Sequence, residues 1–267
     1  MTAWYEESFG SEYLRLYAHR DLAEACANIR AIEALLSPPK DEPLLDLCCG
    51  AGRYLVALWR AGFRRLVGLD LSEDLLQVAA KELRRAGVPQ VCLVSGEAVG
   101  DDAPDAERVL LVREDMRRIP YRDIFATVIS IFTSFGYFET DEDNRAVLVA
   151  VQRALRPEGT FLLDYLNRDH VITHLVPEDE RLLPDCRVHN HRWITDDGLR
   201  VEKLVTMTPE RGEPRQFRES VRMYSQREMR EMLISAGFAA VRAYGSLAGE
   251  PYGPDSPRLV LVAQARS

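Results

Sequence analysis

The sequence predicts an α/β protein in which helices cover both faces of a mainly parallel sheet. Short apolar runs alternate with helical patterns over residues 41–166, which is typical of parallel strands joined by helices. Glycines follow the first apolar run closely, as they do where a strand turns sharply into a helix. Residues 187–224 instead alternate apolar and polar side chains, and this pattern predicts an antiparallel β meander inserted into the same domain.

Two helices are predicted at the N-terminus, where polar residues can cap the first turns. Ser11 can cap a helix that runs to residue 17, and Asp21 can cap a second helix that runs to about residue 36. The chain of 267 residues, 46% hydrophobic and 28% charged, has the composition of a globular protein and a length that suits one large domain or two small ones.

Seven apolar runs are predicted as strands of the main sheet, and four helical patterns lie between them. The strands are placed at residues 44–48, 66–70, 109–113, 126–132, 160–166, 239–244 and 259–263, and the helices at residues 53–60, 72–86, 142–155 and 225–235. The connection at residues 87–107 is longer than usual and predicts a surface excursion with a strand near residues 91–94.

Composition argues against several classes of protein. The 34 Lys and Arg against 42 Asp and Glu give a net charge of −8, so the chain has no general attraction for a nucleic-acid backbone. No apolar run reaches the roughly 18 residues that span a bilayer, and no secretory signal is visible, so we expect a cytoplasmic protein without a membrane partner. The five cysteines form no CxxC pair, which argues against a zinc ribbon or a disulfide framework.

The strongest motif is DLCCGAG, which begins at Asp46 and ends the first predicted strand. Gly50 and Gly52 let the backbone turn sharply and let a ligand approach closely. A dinucleotide fingerprint would require a third small residue three positions after Gly52, where Leu55 stands. The motif therefore predicts a small-molecule site but disfavours NAD or FAD.

Further site residues follow the next strands in order. Asp70 can accept the two hydroxyls of a ribose, although it could also cap the next helix. Asp115 can accept an adenine amino group while Met116 packs on the ring, although Asp115 could also form an exposed ion pair with neighbouring arginines. Asp46 could contact a ligand or only anchor the glycine loop. Phe132 opens an aromatic segment, FTSFGYF, after the fourth strand.

These motifs together resemble the class I S-adenosylmethionine-dependent methyltransferases. The matching stretches are DLCCGAGR (46–53), GLDLSEDLL (68–76), REDMRRIP (113–120), FTSFGYF (132–138), LRPEGTFLLD (155–164) and SAGF (235–238). The resemblance implies a Rossmann-like sheet of seven strands, the last of them antiparallel, and S-adenosylmethionine (SAM) as the cofactor. It also implies that a methyl group moves by in-line displacement to a nitrogen or oxygen atom of a small-molecule acceptor. An RNA or protein methyltransferase, or a SAM-binding protein without activity, is the alternative.

The resemblance also divides the single domain, residues 1–267, into functional parts. They are a helical lid (1–40), a cofactor-binding core (41–166), a meander on the substrate side (187–224) and the C-terminal part of the core (225–267). The residues predicted to bind the cofactor are Asp46, Cys48, Gly50, Gly52, Asp70, Leu71, Asp115, Met116, Phe132 and Tyr13. Those predicted to bind the acceptor are Tyr17, Tyr137, His189, His191 and Trp193.

Histidines provide the one candidate for proton transfer. His170 lies six residues after Asp164 and is the candidate general base for an acceptor that must lose a proton, although it could equally be a histidine of a surface loop. His189 and His191 share a face of a predicted strand, but no HExxH or HxxxE spacing accompanies them, so no metal site is predicted. The sequence does not indicate an oligomeric state.

Overall fold

A computed structural model describes residues 4–5, 11–16, 21–99 and 108–266. In these ranges the strands are β1 (Leu44–Leu47), β2 (Arg65–Asp70), β3 (Gln90–Ser95), β4 (Arg108–Arg113), β5 (Phe125–Ser130), β6 (Leu155–Leu166), β7 (Glu178–Leu183), β8 (Cys186–Ile194), β9 (Arg200–Pro209), β10 (Arg215–Arg222), β11 (Phe238–Tyr244) and β12 (Arg258–Ala265). The helices are α1 (Ser11–Leu16), α2 (Leu22–Leu36), α3 (Arg53–Arg60), α4 (Glu73–Arg85), α5 (Asp141–Ala154), α6 (Arg168–His174) and α7 (Gln226–Ser235). No helix in these ranges is both long enough and apolar enough to cross a membrane.

The main sheet has its strands in the order β11-β12-β6-β5-β1-β2-β4-β3. Only β12 runs antiparallel to the others, which confirms the mainly parallel sheet and its antiparallel last strand. The predicted number of seven strands is wrong for the described residues, since the sheet has eight. The additional strand is β3, which pairs in parallel with β4 from Gln90 to Ser95. The long connection at 87–107 therefore extends the sheet by one edge strand.

Helices cover both faces of this sheet because its central strands are apolar on both sides. All residues of β1 and β5 are buried, as expected for parallel strands between two helical layers. One face packs against α2, α3 and α4, and the other face packs against α5 and α7. The predicted helix starts after Asp21 and Ser72 are confirmed, since each side chain accepts a backbone N–H of the first turn.

The inserted meander is a separate antiparallel sheet in the order β10-β9-β8-β7. Its first strand, β7, lies before the predicted boundary at residue 187. The sequence of β7 is EDERLL, and its charged residues at successive positions do not give the apolar alternation by which strands are detected. Charges of this kind are typical of an edge strand, where they discourage pairing with other chains.

One face of the meander holds the first helix against the body of the protein. Leu16 of α1 is 3% exposed and forms a small apolar cluster with Cys186, Val188, Val205 and Met207. The Arg181 guanidinium donates a hydrogen bond to the Leu16 carbonyl. The meander thus places α1 beside the carboxyl edge of the main sheet, where Leu14 of the same helix reaches a large cavity.

Candidate functional site

A cavity of about 780 Å³ opens at the carboxyl ends of β1, β2, β4 and β5. Its volume lies in the range of small-molecule sites, and its position is the one at which open α/β sheets bind ligands. Among the residues that line it are Tyr5, Cys48, Gly50, Arg53, Asp70, Leu71, Asp115, Met116, Phe132 and Tyr137. Eight of these ten were predicted from the sequence. Tyr137 was predicted to bind the acceptor, and seven were predicted to bind the cofactor: Cys48, Gly50, Asp70, Leu71, Asp115, Met116 and Phe132.

The two glycines of the loop after β1 have different roles. Gly52 has φ +78°, and a Cβ at this position would lie 2.7 Å from the Ala79 Cβ, so the residue allows α3 to pack closely on α4. Gly50 has φ +52°, and the nearest atom to its added Cβ is 3.9 Å away, on Leu75. Gly52 does not line the cavity, whereas Gly50 does. The first glycine leaves space for a ligand and the second fixes the packing of the loop.

Asp70 connects the end of β2 to this loop. Its carboxylate accepts hydrogen bonds from the N–H groups of Gly50 at 2.8 Å and Ser72 at 2.9 Å. Burial raises the pKa of Asp70, while these backbone donors oppose the shift. The cap of α4 is Ser72, whose hydroxyl oxygen accepts the Leu75 N–H. Asp70 therefore lines the cavity and fixes its glycine loop.

Asp115 is held by an arginine two residues later in the chain. The Arg117 side chain contacts both carboxylate oxygens at 2.6–3.1 Å, and the Arg117 N–H donates to one of them. Burial alone would raise the pKa of Asp115, but these hydrogen bonds hold it below its ordinary value. The guanidinium also lies 4.1 Å from the Phe138 ring centroid. The pair is largely buried and Asp115 stays ionised, so it remains an acceptor toward the cavity.

Asp46 lies behind the cavity wall. It is 2% exposed, and its Oδ2 has no hydrogen-bond partner among the residues that the structure describes. Burial raises the pKa of Asp46 to about 8; the charge of Asp70 adds to this shift and the charge of Arg53 opposes it. The carboxyl group is therefore mostly neutral at pH 7.

Asp46→Asn should change the pH dependence of stability. A carboxyl group whose pKa is raised by folding stabilises the protein below its unfolded pKa of 3.8, and this stability is lost as the pH rises toward about 8. The asparagine variant cannot ionise, so its free energy of unfolding relative to wild type should rise by more than about 1 kcal/mol between pH 5 and pH 9. Urea denaturation of both proteins at the two pH values measures this difference. An equal difference at both would show that Asp46 titrates normally.

The aromatic wall begins with two residues in a strained backbone conformation. Phe132 and Thr133 have φ values of +71° and +59°, which residues other than glycine adopt only at a cost in conformational energy. Asp164 accepts the Phe132 N–H at 3.0 Å, and Arg258 donates to Asp164 at 2.7 Å and to the Thr133 hydroxyl at 2.8 Å. These contacts from β6 and β12 hold Phe132 in the cavity wall.

Arg53 and Tyr54 are among the cavity residues that were not predicted. Arg53 follows the glycine loop, and its guanidinium lies 4.5 Å from the Phe132 ring centroid and 3.0 Å from the Glu24 carboxylate. Tyr54 accepts a hydrogen bond from Asn28, and burial raises the pKa of Tyr54 to about 12. The arginine stands at the end of the DLCCGAGR motif, so its position directly after the second glycine was the available signal.

The predicted histidines lie elsewhere in the described part of the chain, outside the cavity lining. His170 lies on α6, where its ring stacks on His174 at 4.1 Å between centroids. His189 and His191 point away from α1 and approach the Glu178 carboxylate at 3.8 Å and 3.3 Å. Trp193 stacks on His191.

Strand alternation explains this placement on β8. Val188 faces α1 in the apolar cluster, so the odd-numbered neighbours lie on the opposite face. In the described residues no group of three or more His, Cys, Asp or Glu side chains is placed to hold a metal ion. The Tyr13 side chain and Tyr17 lie outside what the structure describes, so their predicted roles stay predictions.

Comparison with known proteins gives one family match. Residues 45–163 match the methyltransferase domain family. A dTDP-3-amino-3,4,6-trideoxy-alpha-D-glucopyranose N,N-dimethyltransferase from Streptomyces venezuelae is 31% identical over 126 residues, which are 47% of this chain and 43% of that protein. A ubiquinone biosynthesis O-methyltransferase from Methylococcus capsulatus is 30% identical over 125 residues, 46% of this chain and 43% of that protein. The alignments thus span less than half of either relative.

Solved structures extend the likeness to nearly the whole fold. A SAM-dependent methyltransferase from Clostridium acetobutylicum superposes with a TM-score of 0.75 at 15% identity, covering 95% of this chain and 96% of that one. At this identity the likeness establishes the architecture, including the meander region, but not the substrate.

Proposed function

We propose that the chain is a SAM-dependent methyltransferase of the class I superfamily and that it transfers a methyl group from SAM to a nitrogen or oxygen atom of a small-molecule acceptor. The observation that carries this proposal is the charge of the cavity. Its lining contains the carboxylates of Asp70, Glu73, Asp74, Glu82, Glu114 and Asp115 and the guanidinium groups of Arg53 and Arg113, a formal charge of −4. Such a lining favours a cationic ligand over the diphosphate of NAD.

The residues present fit a sulfonium nucleoside. Gly50 leaves open space at the loop, and the cavity volume accommodates a ligand of this size. Asp70 would hold the ribose hydroxyls, and Asp115 would accept the adenine amino group. Leu71, which is 36% exposed in the cavity, and Met116 would contact the faces of the base.

The mechanism requires little from the protein beyond alignment. Bound SAM supplies a methyl group on a positively charged sulfur, which is already activated for displacement. Phe132 presents its ring to the cavity, where it can favour a cation, and Tyr137 on the acceptor side can exclude water. Tyr5 and Leu14 complete the side nearest α1. A neutral amine would need only to be positioned by these residues, whereas a hydroxyl or ammonium acceptor must also lose a proton.

The nature of the acceptor is supported by relatives that act on small molecules. The Streptomyces relative is an N,N-dimethyltransferase of an amino sugar nucleotide, and the Methylococcus relative is an O-methyltransferase of ubiquinone biosynthesis. The proposal therefore includes both nitrogen and oxygen as the acceptor atom. The net charge of −8 further favours a small molecule over a nucleic-acid acceptor.

Calorimetry should detect binding of SAM and of its demethylated product, S-adenosylhomocysteine, with one site per chain. Because a ligand at 100 times its Kd stabilises the folded state by about 2.7 kcal/mol, the melting temperature should also rise. NAD should neither bind nor compete, since its diphosphate would meet the carboxylates of the cavity. NAD binding without SAM binding would overturn the proposal. Transfer of label from methyl-labelled SAM to a panel of amines and hydroxyl compounds would then identify the acceptor atom.

A further inference from the structure

Three successive carbonyl groups of the cavity wall converge on one arginine of the meander. The Arg200 guanidinium donates to the carbonyl oxygens of Phe138 at 3.1 Å, Gly136 at 3.2 Å and Tyr137 at 3.4 Å. It also donates to the hydroxyl and the carbonyl oxygen of Ser220 on β10 at 2.8 Å and 3.2 Å. Arg200 thus connects both strands of a hairpin in the meander to a turn in the main domain.

The turn that Arg200 holds carries aromatic residues of the cavity. Tyr137 and Phe138 both line it. The Trp4 ring lies edge-on to Tyr137 at 5.1 Å between centroids, and the Tyr5 ring lies edge-on to Phe138 at 5.4 Å. The wall therefore contacts the N-terminal aromatic pair through its rings and the meander through its backbone carbonyl groups.

We propose that Arg200 is a positioning residue that sets the acceptor side of the cavity by fixing Tyr137 and, through it, Trp4. This inference rests on the proposed function, because only methyl transfer to an acceptor makes this side of the cavity the acceptor side. The planar guanidinium presents five donors in a fixed fork, which lets one side chain reach three carbonyl oxygens and Ser220 together. A lysine ammonium is a single point with three donors and cannot span the same acceptors.

The cofactor side of the wall has support of its own. Asn144 donates to the Phe138 carbonyl at 3.1 Å, and Phe138 covers the guanidinium of Arg117, which holds Asp115. None of these contacts involves Arg200, so they should persist when it is removed. Loss of Arg200 should therefore disturb Tyr137 and Trp4 while it leaves the affinity for SAM nearly unchanged.

Tryptophan fluorescence can test this because the chain has three tryptophans, at positions 4, 59 and 193. In a W59F/W193F background Trp4 is the only reporter. Arg200→Ala should raise the acrylamide quenching constant of Trp4 at least about twofold, because Tyr137, one of the rings that pack on Trp4, is no longer fixed. Added guanidinium at millimolar concentration should reverse the increase, and SAM affinity measured by calorimetry should change less than about threefold.

Arg187→Ala is the matched control. Arg187 lies in the same sheet and pairs at 2.9 Å with Glu180, but both side chains are exposed, so its loss should not alter the quenching. Arg200→Lys keeps the charge without the fork and should behave like Arg200→Ala; it also carries the test if the alanine variant fails to fold. Unchanged Trp4 quenching in a folded Arg200 variant, or an equal increase in Arg187→Ala, would overturn the proposal. Failure of the W59F/W193F parent to bind SAM would instead contradict the proposed function.

Discussion

Asp70→Ala is expected to lower both the stability of the protein and its affinity for SAM. The substitution leaves the N–H groups of Gly50 and Ser72 without their acceptor. Each unsatisfied donor costs about 1–3 kcal/mol when it stays buried, so the free energy of unfolding should fall by about 2–4 kcal/mol. The affinity for SAM should fall at least about tenfold, because the ribose hydroxyls lose charge-assisted hydrogen bonds and the loop loses its support.

Two comparisons separate these effects. Asp70→Asn keeps one oxygen for a backbone N–H, so it should retain more stability than affinity. Asp255→Ala removes an exposed aspartate that does not line the cavity. It should leave the free energies of unfolding and of SAM binding within about 0.5 kcal/mol of wild type. Urea denaturation and calorimetry measure the two effects. Normal SAM binding by Asp70→Ala would show that the carboxylate only supports the loop.

Gly52→Val should be the most destabilising substitution in the glycine loop. The backbone there has φ +78°, and the Cβ would lie 2.7 Å from the Ala79 Cβ, so α3 and α4 would have to separate. Strain and overpacking together should cost more than about 3 kcal/mol. Thermal melting and calorimetry should show a large loss of stability accompanied by loss of SAM binding.

Gly50→Ala provides the contrast. The atom nearest to its Cβ would be Leu75 Cδ1 at 3.9 Å, an ordinary contact, so this variant should lose SAM binding with a smaller loss of stability. Gly52→Ala should be destabilised for the same reason as Gly52→Val, although less strongly. Adding Ala79→Gly to it should partly restore the stability, since this removes the atom nearest to the new Cβ. The reverse order, in which Gly50→Ala unfolds the protein and Gly52→Ala does not, would contradict these roles of the two glycines.

Local patterns were sufficient for much of the cavity. The glycine loop, Asp70 and Asp115 each follow an apolar strand, and parallel strands necessarily bring their carboxyl ends to one edge. The helix starts at Asp21 and Ser72 were predictable for a similar reason, since a cap is a contact between residues three apart.

The predictions that differ from the structure concern β8 and β3, and both depend on contacts between distant parts of the chain. On β8 both alternate sets of side chains contain large residues, Val188 on one face and Trp193 on the other. Which face turns inward is decided by Leu16 of α1, and alternation alone does not contain that information. Similarly, a strand near residues 91–94 was predicted, but its place in the main sheet depends on its full pairing with β4, which the long connection alone did not indicate.

The hydrogen bonds from Arg258 that stabilise the cavity wall at Phe132 have a consequence for folding. Arg258 reaches Asp164 across 94 residues of sequence and Thr133 across 125. Contacts of such separation form late, because the entropy of closing the intervening chain must be lost first. The docking of β12, the last strand of the main sheet in the chain, brings Arg258 to this wall. The aromatic wall becomes complete only with that docking, so the ability to bind ligand should mark the native state and not its precursors.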